Sequence, residues 1–474
     1  MMDGKVMQML IGGEWRERPE RIAVRNPFDN ALVGEVPVAG VADVKAAIDA
    51  AAQALEREFP LHARYDVLVK AASLVDGRQE EYARTIAHEG SKTIREARRE
   101  PPRAANILRL SAEAGRRLTG ETLPFDSRVG SENRVGYYFR FPAGIVSAII
   151  PFNDPLALAA HNIGPAIAAG NSIVLKPSAL TPLSVLMLAH DLMDAGLPKG
   201  RLSVVTGRGS ELGEAIVSDP RVRVVTFTGG VEVGLQISRW VGIKKVIMEL
   251  GSNSPVIVMD DADLGKAVPA IAAGAFAQAG ENCLGVQRIL VHERVYDGFR
   301  DRFVKHVAGL KAGHSMSEDI DVCAMLTEKE ARRVESWITE AVGKGARVLS
   351  GGKLEGPVVW PTVLEDVPDG VRIDCEEVYG PVVSLYRVAS LDEAIKRANQ
   401  VDYGLHAAIF TQRLDNAFKA VSGLQYGAVI VNDSTDYRLD VMPFGGTKLS
   451  GIGRQGIWSM IQEMTETRVV CFNL

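Results

Sequence analysis

Cys283 stands in FAQAGENCLGVQRILV, between a run of small residues suited to a helix and a β-type run that begins at Arg288. A thiol in a glycine-flanked loop can meet a substrate in a cleft, and its thiolate is a nucleophile near neutral pH. An isolated cysteine is more often a small buried apolar residue. Three other polar groups in matching surroundings point Cys283 towards chemistry instead. Glu249 in KKVIMELGSNSPVIV, Asn153 in AIIPFNDP and Lys176 in IVLKPSALTP each stand where an apolar strand gives way to a loop, and the proline after Lys176 blocks regular pairing and is expected to leave that side chain at the sheet edge. Strand-end loops are where α/β scaffolds present reactive groups.

The elements that must hold these groups are legible from patterning. VADVKAAIDAAAQALERE (41–58) and the stretch from Ala63 to Lys92 carry helical periodicity, with alanine-rich apolar faces and charged faces suited to solvent. From Gly144 short apolar runs alternate with helices: GIVSAIIP, LALAAHNIGPAIAAG, SIVLKP, a helix near 181–195, LSVVTG, ELGEAIVSD and VRVVTFTGG. This repeated unit predicts a parallel sheet covered on both faces. A second α/β segment begins near Pro255 and contains Cys283. Before Gly144, TGETLPFDSRVGSENRVGYYFRFP is polar and turn-rich and ends in a β-like run. That run needs a partner, because an isolated hairpin is marginal.

At 474 residues and 46% hydrophobic content the chain can bury large cores and should divide into two or three domains. A net charge of −5 without a lysine or arginine tract gives no reason to expect nucleic acid or an anionic membrane as partner. The start, MMDGKVMQMLIGGEW, carries acidic and glycine breaks in place of an apolar signal core. No stretch approaches the roughly 20 apolar residues of a membrane span, so the cytoplasm is the expected compartment. The four cysteines, Cys283, Cys323, Cys375 and Cys471, form no CxxC pair and offer no metal spacing with the eight histidines. Neither disulfides nor a bound metal are expected.

Two glycine-rich stretches compete for a phosphate. TGRGSELG (206–213) follows a strand, but its third glycine falls one position late for the GxGxxG spacing, and it reads as a turn. TFTGGVEVG follows VRVVTF and opens a helix, with Gly229 and Gly234 five apart. Such a helix N-terminus presents free N–H groups and a positive dipole end to a pyrophosphate.

Taken in order, PFNDP, LKPS, TFTGG, MELGSNSP, the Cys283 loop, EEVYGPV and MPFGG form a pattern that resembles the aldehyde dehydrogenase superfamily. It runs from NPFDNALVGEVP at residue 26 to MPFGGTKLSGIGRQG near the end. The resemblance implies an α/β fold: a Rossmann-like dinucleotide-binding domain (1–118 and 140–251), an α/β catalytic domain (252–446) and a small β oligomerisation arm (119–139 and 463–474). In the family such an arm crosses to another subunit, which implies a homodimer or homotetramer. The activity implied is NAD(P)-dependent and non-acylating, nearest to the lactaldehyde, non-phosphorylating glyceraldehyde-3-phosphate and phosphonoacetaldehyde dehydrogenases.

By resemblance Lys176, Ser178, Ala179, Gly229, Gly230, Gly234, Leu250, Glu377 and Tyr379 belong to the dinucleotide site. Lys176 would reach the adenosine ribose and Glu377 the nicotinamide ribose, and Tyr379 replaces the usual phenylalanine beside the ring. Gly230 stands where the family usually has serine, which removes one hydroxyl contact. NAD-preferring members often carry glutamate where this chain has Ala179. Without that carboxylate a 2′-phosphate is not repelled and Arg208 can pair with it, so the reading leans to NADP with NAD use open.

The implied reaction gives each group a task. Cys283 attacks the aldehyde carbon, the Asn153 amide and the Cys283 N–H donate to the resulting alkoxide, and hydride passes to the nicotinamide. Glu249 activates water to hydrolyse the thioester and can assist deprotonation of Cys283. Two departures from the family matter. A second glutamate is replaced by Gln455, leaving Glu249 as the one obvious base, and a glutamine near the nucleophile is replaced by Glu281. The Glu281 carboxylate should point away or be paired, because a nearby charge would raise the thiol's pKa.

The positions resembling the aldehyde tunnel, Asp154, His161, Asn282, Leu284 and the loop NDSTDYRLDVMPF, are polar where tunnels for fatty or aromatic aldehydes are aromatic. Arg103 and Arg438 suit a carboxylate, phosphate or phosphonate at the far end of a short aldehyde, or ion pairs within the protein. His161 suits packing or hydrogen bonding. Asp154 and Asn282 replace the histidine and arginine of phosphonoacetaldehyde dehydrogenase, which favours a hydroxyaldehyde or semialdehyde, such as lactaldehyde, over a doubly charged phosphonate. The rivals are a coenzyme A-acylating enzyme, which has little use for Glu249, and a catalytically silent structural or binding member of the fold, which has little use for Cys283, Glu249 and Asn153 together.

Overall fold

The computed structural model describes residues 5–474; the first four, part of the segment read above for a signal core, lie outside it. Short runs rich in valine and isoleucine form strands buried on both sides. They assemble into an eight-stranded sheet in the order Gly451–Ile452, Lys245–Glu249, Val222–Thr228, Ile145–Ile149, Ser172–Lys176, Leu202–Val204, Met9–Ile11, Glu14–Arg16. The five strands from Lys245–Glu249 to Leu202–Val204 run parallel. Alternate side chains enter different cores: Val146, Ile173 and Leu175 pack with the helices Leu61–Gly77, Glu100–Arg116 and Pro155–Ala168. Ile145, Val174 and Val225 pack on the other face, with Val41–Leu55 and Gly209–Ser218. Two covered faces remove the need for polar residues within these strands.

A seven-stranded sheet follows, ordered Arg347–Ser350, Thr362–Glu365, Val382–Val388, Val286–His292, Ser254–Val258, His406–Phe410, Ala428–Val431. It is parallel except for its first strand. The β-like run before Gly144 finds its partner at the other end of the chain. Arg134–Pro142 pairs antiparallel with Thr465–Asn473 through nine residue pairs, and Glu121–Thr122 adds a short third strand.

Two local readings change. The helical stretch from Ala63 to Lys92 is two helices, Leu61–Gly77 and Gln79–Glu89, broken at Arg78. Arg78 leaves helical geometry (φ −125°, ψ 22°) and its guanidinium reaches Asp191 at 2.6 Å and Glu81 at 2.9 Å. Lys176 lies at the carboxyl end of an interior strand and not on a lateral edge, because Leu202–Val204 continues the sheet beyond it. Among the described residues no helix is long and apolar enough to cross a membrane, and no group of three or more His, Cys, Asp or Glu residues could hold a metal ion.

Truncation after residue 464 removes all nine partners of Arg134–Pro142 and leaves its edge open to other chains. Size-exclusion chromatography of the truncated protein should show aggregation or a changed assembly, with a lower Tm; an unchanged elution profile and Tm would contradict this.

Candidate active site

The parallel strands of the first sheet end together, facing the loop that carries Cys283. Asn153 follows Ile145–Ile149, Gly229 and Gly230 follow Val222–Thr228, and Leu250 follows Lys245–Glu249. These residues, with Glu249, Asn282, Cys283, Glu377 and Tyr379, line one cavity of about 690 Å³, a size ordinary for small-molecule sites.

The loop is aimed by backbone strain. After the helix Leu264–Phe276, Gln278, Ala279 and Gly280 take left-handed φ values of 55°, 53° and 73°. A Cβ on Gly280 would fall 2.2 Å from the carbonyl carbon of Gly380, so both conformation and room demand glycine. Cys283 emerges half-buried, and Asn282 Oδ1 accepts from the Leu284 N–H at 3.0 Å. Burial, and next the Glu377 carboxylate, push the thiol up to about 12, with Arg438 opposing.

Glu249 is buried at the end of its strand, and neither carboxyl oxygen has a hydrogen-bond partner among the described residues. Burial holds its pKa well above the ordinary carboxyl range, against Arg438 and Arg454. Asn153 is also buried, with Oδ1 unpartnered. Unpaired buried polar atoms are costly, so their concentration on one cavity marks it as built for chemistry and not for stability. Glu281 is off the cavity wall. Its Oε2 accepts from the Leu326 N–H at 2.9 Å, and burial raises it to about 8.

Asp154, Arg103 and Arg438 also line the cavity, backed by charges that no local motif announces. Lys92 donates to both Glu100 and Asp154. Glu100 Oε1 accepts from the Leu156 and Ala157 N–H groups, each at 2.9 Å, at the start of Pro155–Ala168. Arg103 donates to Asp440 Oδ1 through Nε (3.0 Å) and Nη2 (2.9 Å), and to Asp154 through Nη1 (3.4 Å). Burial works to raise Asp154, but Lys92 and Arg103 outweigh it and hold the carboxyl well below its ordinary value. His161 lies off the wall with Nε2 2.7 Å from Asp440 Oδ1. Burial lowers it to about 4, so at neutral pH it is an uncharged ring donating from Nε2. Arg438 differs: it stacks over Phe444 at 3.8 Å, and its one polar contact is Gln455 Oε1 at 3.5 Å. Its Nε is buried without a partner, and burial pulls it down to about 10.

Of the residues expected at a dinucleotide, Gly229, Gly230, Leu250, Glu377 and Tyr379 line the cavity, whereas Lys176, Ser178, Ala179, Arg208 and Gly234 do not. Glu377 Oε1 accepts from the Ser252 N–H at 2.7 Å, and burial raises it to about 7. Tyr379 meets Phe152 edge to face at 6.0 Å. Gly230 caps the helix Val231–Trp240, and a Cβ there would meet nothing within 4 Å. One on Gly234 would lie 2.6 Å from Leu250 Cδ2, so this glycine allows close packing of the helix on the strand end. Lys176 is buried, donates to the Pro177 carbonyl at 2.9 Å and is lowered by burial to about 8. A Cβ on Gly209 would lie 3.8 Å from Lys176 Cε, which brings the Arg208 loop beside it. Arg208 is exposed and pairs with Glu20 at 3.2 Å and Glu211 at 3.3 Å.

The aldehyde dehydrogenase family model matches residues 15–470. The chain belongs to the aldehyde dehydrogenase family. It is 44% identical over 466 residues to the 3-sulfolactaldehyde dehydrogenase of Priestia megaterium, with 98% of each chain covered. Among solved structures, aldehyde dehydrogenase 21 of Physcomitrella patens in complex with the reaction product succinate matches with a TM-score of 0.97 at 37% identity, over 99% of this chain and 98% of that one. The NADP-dependent glyceraldehyde-3-phosphate dehydrogenase of Bacillus halodurans C-125, complexed with NADP, matches with a TM-score of 0.96 at 38% identity, over 99% of both chains. The α/β architecture is therefore the aldehyde dehydrogenase fold, and the chain is an NAD(P)-dependent aldehyde dehydrogenase.

In this dehydrogenase the buried Glu281 gives a test of the electrostatics. Between about pH 4.5 and about 8 an unfolded chain ionises Glu281 while the folded one keeps it protonated. Its contribution to stability is therefore intact below that window and is lost as pH rises through it. Glu281→Gln should raise Tm increasingly from pH 5 to pH 8; a Tm difference that does not grow with pH would refute the assignment.

Proposed function

We propose that this dehydrogenase oxidises a short hydroxyaldehyde or semialdehyde, with a polar or singly charged far end, to its carboxylic acid through a Cys283 thioester, using NADP in preference to NAD. The observation that carries the reading is that the Cys283 thiol, the Asn153 carboxamide and the unpartnered Glu249 carboxyl share one cavity wall.

Cys283 loses its proton with the help of Glu249 and attacks the aldehyde carbon. The Asn153 side-chain amide and the Cys283 backbone N–H donate to the oxygen as it gains charge; an uncharged amide suits this place, since a carboxylate would repel the oxyanion. A bound nicotinamide dinucleotide supplies the hydride acceptor. Glu249 then takes a proton from water as the water attacks the thioester carbon, and Cys283 leaves as the thiolate. Because burial raises both Cys283 and Glu249, the reactive ionised forms grow with pH. The dinucleotide reading is supported by the open helix N-terminus at Gly230, the close approach at Gly234 and the placing of Glu377 on the cavity wall. NADP is favoured by Ala179, by the approach of the Gly209 backbone, next to Arg208, to Lys176, and by the NADP complex of the Bacillus halodurans structure. We place the dinucleotide on the unit 1–118 and 140–251, the thiol on 252–446, and subunit contacts on the arm, in a cytoplasmic homodimer or homotetramer.

Cys283→Ala should abolish turnover. Glu249→Gln should give a burst of reduced cofactor followed by slow turnover, and Asn153→Ala should lower kcat by about 10²–10³. Acid formation must not require coenzyme A; a requirement for it would make the enzyme acylating, and a Cys283→Ala variant that still turns over would end the thioester reading.

Ala179→Glu should lower kcat/KM for NADP by about tenfold or more through charge repulsion while leaving NAD little changed. A strong NAD preference in the unaltered enzyme would reverse the cofactor assignment.

A further inference from the structure

Arg103 and Arg438 both line the cavity, and each is near enough to act on the other's charge. Their surroundings differ. Arg103 is held by Asp440 through two nitrogens and faces Asp154 through a third, and Asp154 is itself shared with Lys92. Arg438 has no carboxylate at ion-pair distance among the described residues, and its buried Nε is unpartnered. His161, the other group on Asp440, adds no charge at neutral pH.

We propose that Asp440 is a specificity-determining residue: by neutralising Arg103 it leaves Arg438 as the one part-buried cation of this cavity wall with no carboxylate at ion-pair distance among the described residues, so that aldehydes with a singly charged tail are selected over doubly charged ones. The inference rests on the reading above that the substrate's tail lies at this wall. One guanidinium matches one carboxylate or sulfonate. A second negative charge finds no second part-buried cation without a carboxylate, only the exposed Arg99, and is repelled by Asp154 on the wall and by Asp440 behind Arg103, a built-in penalty against the wrong ligand. Asp440 is off the cavity wall and touches Arg103 and His161, so it acts by setting charge and position and not by contact with the reacting atoms.

The test is kcat/KM with lactaldehyde (no charge), succinate semialdehyde (one) and phosphonoacetaldehyde (two) at saturating cofactor, for the unaltered enzyme and for Asp440→Asn, Arg103→Gln, Arg103→Gln/Asp440→Asn and Arg438→Met. Asp440→Asn should raise the phosphonate-to-carboxylate ratio by about tenfold. Arg103→Gln strands the Asp440 charge beside Arg438 and should lower the carboxylate-to-neutral ratio, and the double variant should restore it. Ratios within one variant are independent of any general loss of activity. If Asp440→Asn lowers all three substrates alike, or leaves the ratios unchanged, while Arg438→Met removes the preference for charge, Asp440 is merely structural and the inference is overturned. If Arg438→Met leaves the preference for charge intact, the tail does not lie here and both readings fall. Should Asp440→Asn not fold, inhibition of the unaltered enzyme decides: propanesulfonate should bind about tenfold tighter than propylphosphonate at pH 8, and equal or tighter binding of the phosphonate would overturn the proposal.

Discussion

The molecule keeps a carboxyl group at the end of a parallel strand with neither oxygen at hydrogen-bond geometry to a partner among the described residues, and much of the surrounding architecture serves to hold it there. Glu249 is fixed by pairing on both sides, with Thr228 in the parallel strand and with Gly451 in the antiparallel one. The Gly229 N–H donates to its carbonyl at 3.0 Å, and Leu250 donates to the Ser450 carbonyl at 2.9 Å. With the backbone satisfied, the cost of the site falls on the side chain alone. A buried carboxyl can be carried by a large fold because two extensive apolar cores lie beneath it.

Charge is distributed unevenly along the same cavity. Around the thiol, Cys283, Glu249 and Glu377 are all raised by burial. Lys92, Arg103, Glu100, Asp154 and Asp440 form a continuous ionic network. Such pairs tolerate burial only when every member is engaged. Arg438 stands between the two groups, favoured by Glu249, Asp440 and Cys283 and opposed by Arg103.

Much of the site was legible because strand-to-loop transitions leave a local trace. Asn153, Glu249 and Lys176 each close an apolar run, and Gly229 and Gly230 open a helix. The division of the 63–92 stretch was not visible, since its cause is a guanidinium meeting Asp191, over a hundred residues away. Lys92, Glu100 and Asp440 were missed for the same reason. They stand in unremarkable helical or loop sequence, and contacts such as Arg103 to Asp440 span 337 positions.

The sequence by itself determined the α/β class, the family and which polar groups close the strands at the cavity, because periodicity, turn residues and ordered motifs are local properties that survive without coordinates. Tertiary structure alone decided which charges are spent. Arg103 and Arg438 look equivalent as letters in a chain, yet one is neutralised by a carboxylate brought from a distant loop and the other meets no carboxylate at ion-pair distance among the described residues. Ion pairing depends on distances of a few ångström in three dimensions, and those distances are set by how the sheets and the Asp440 loop converge.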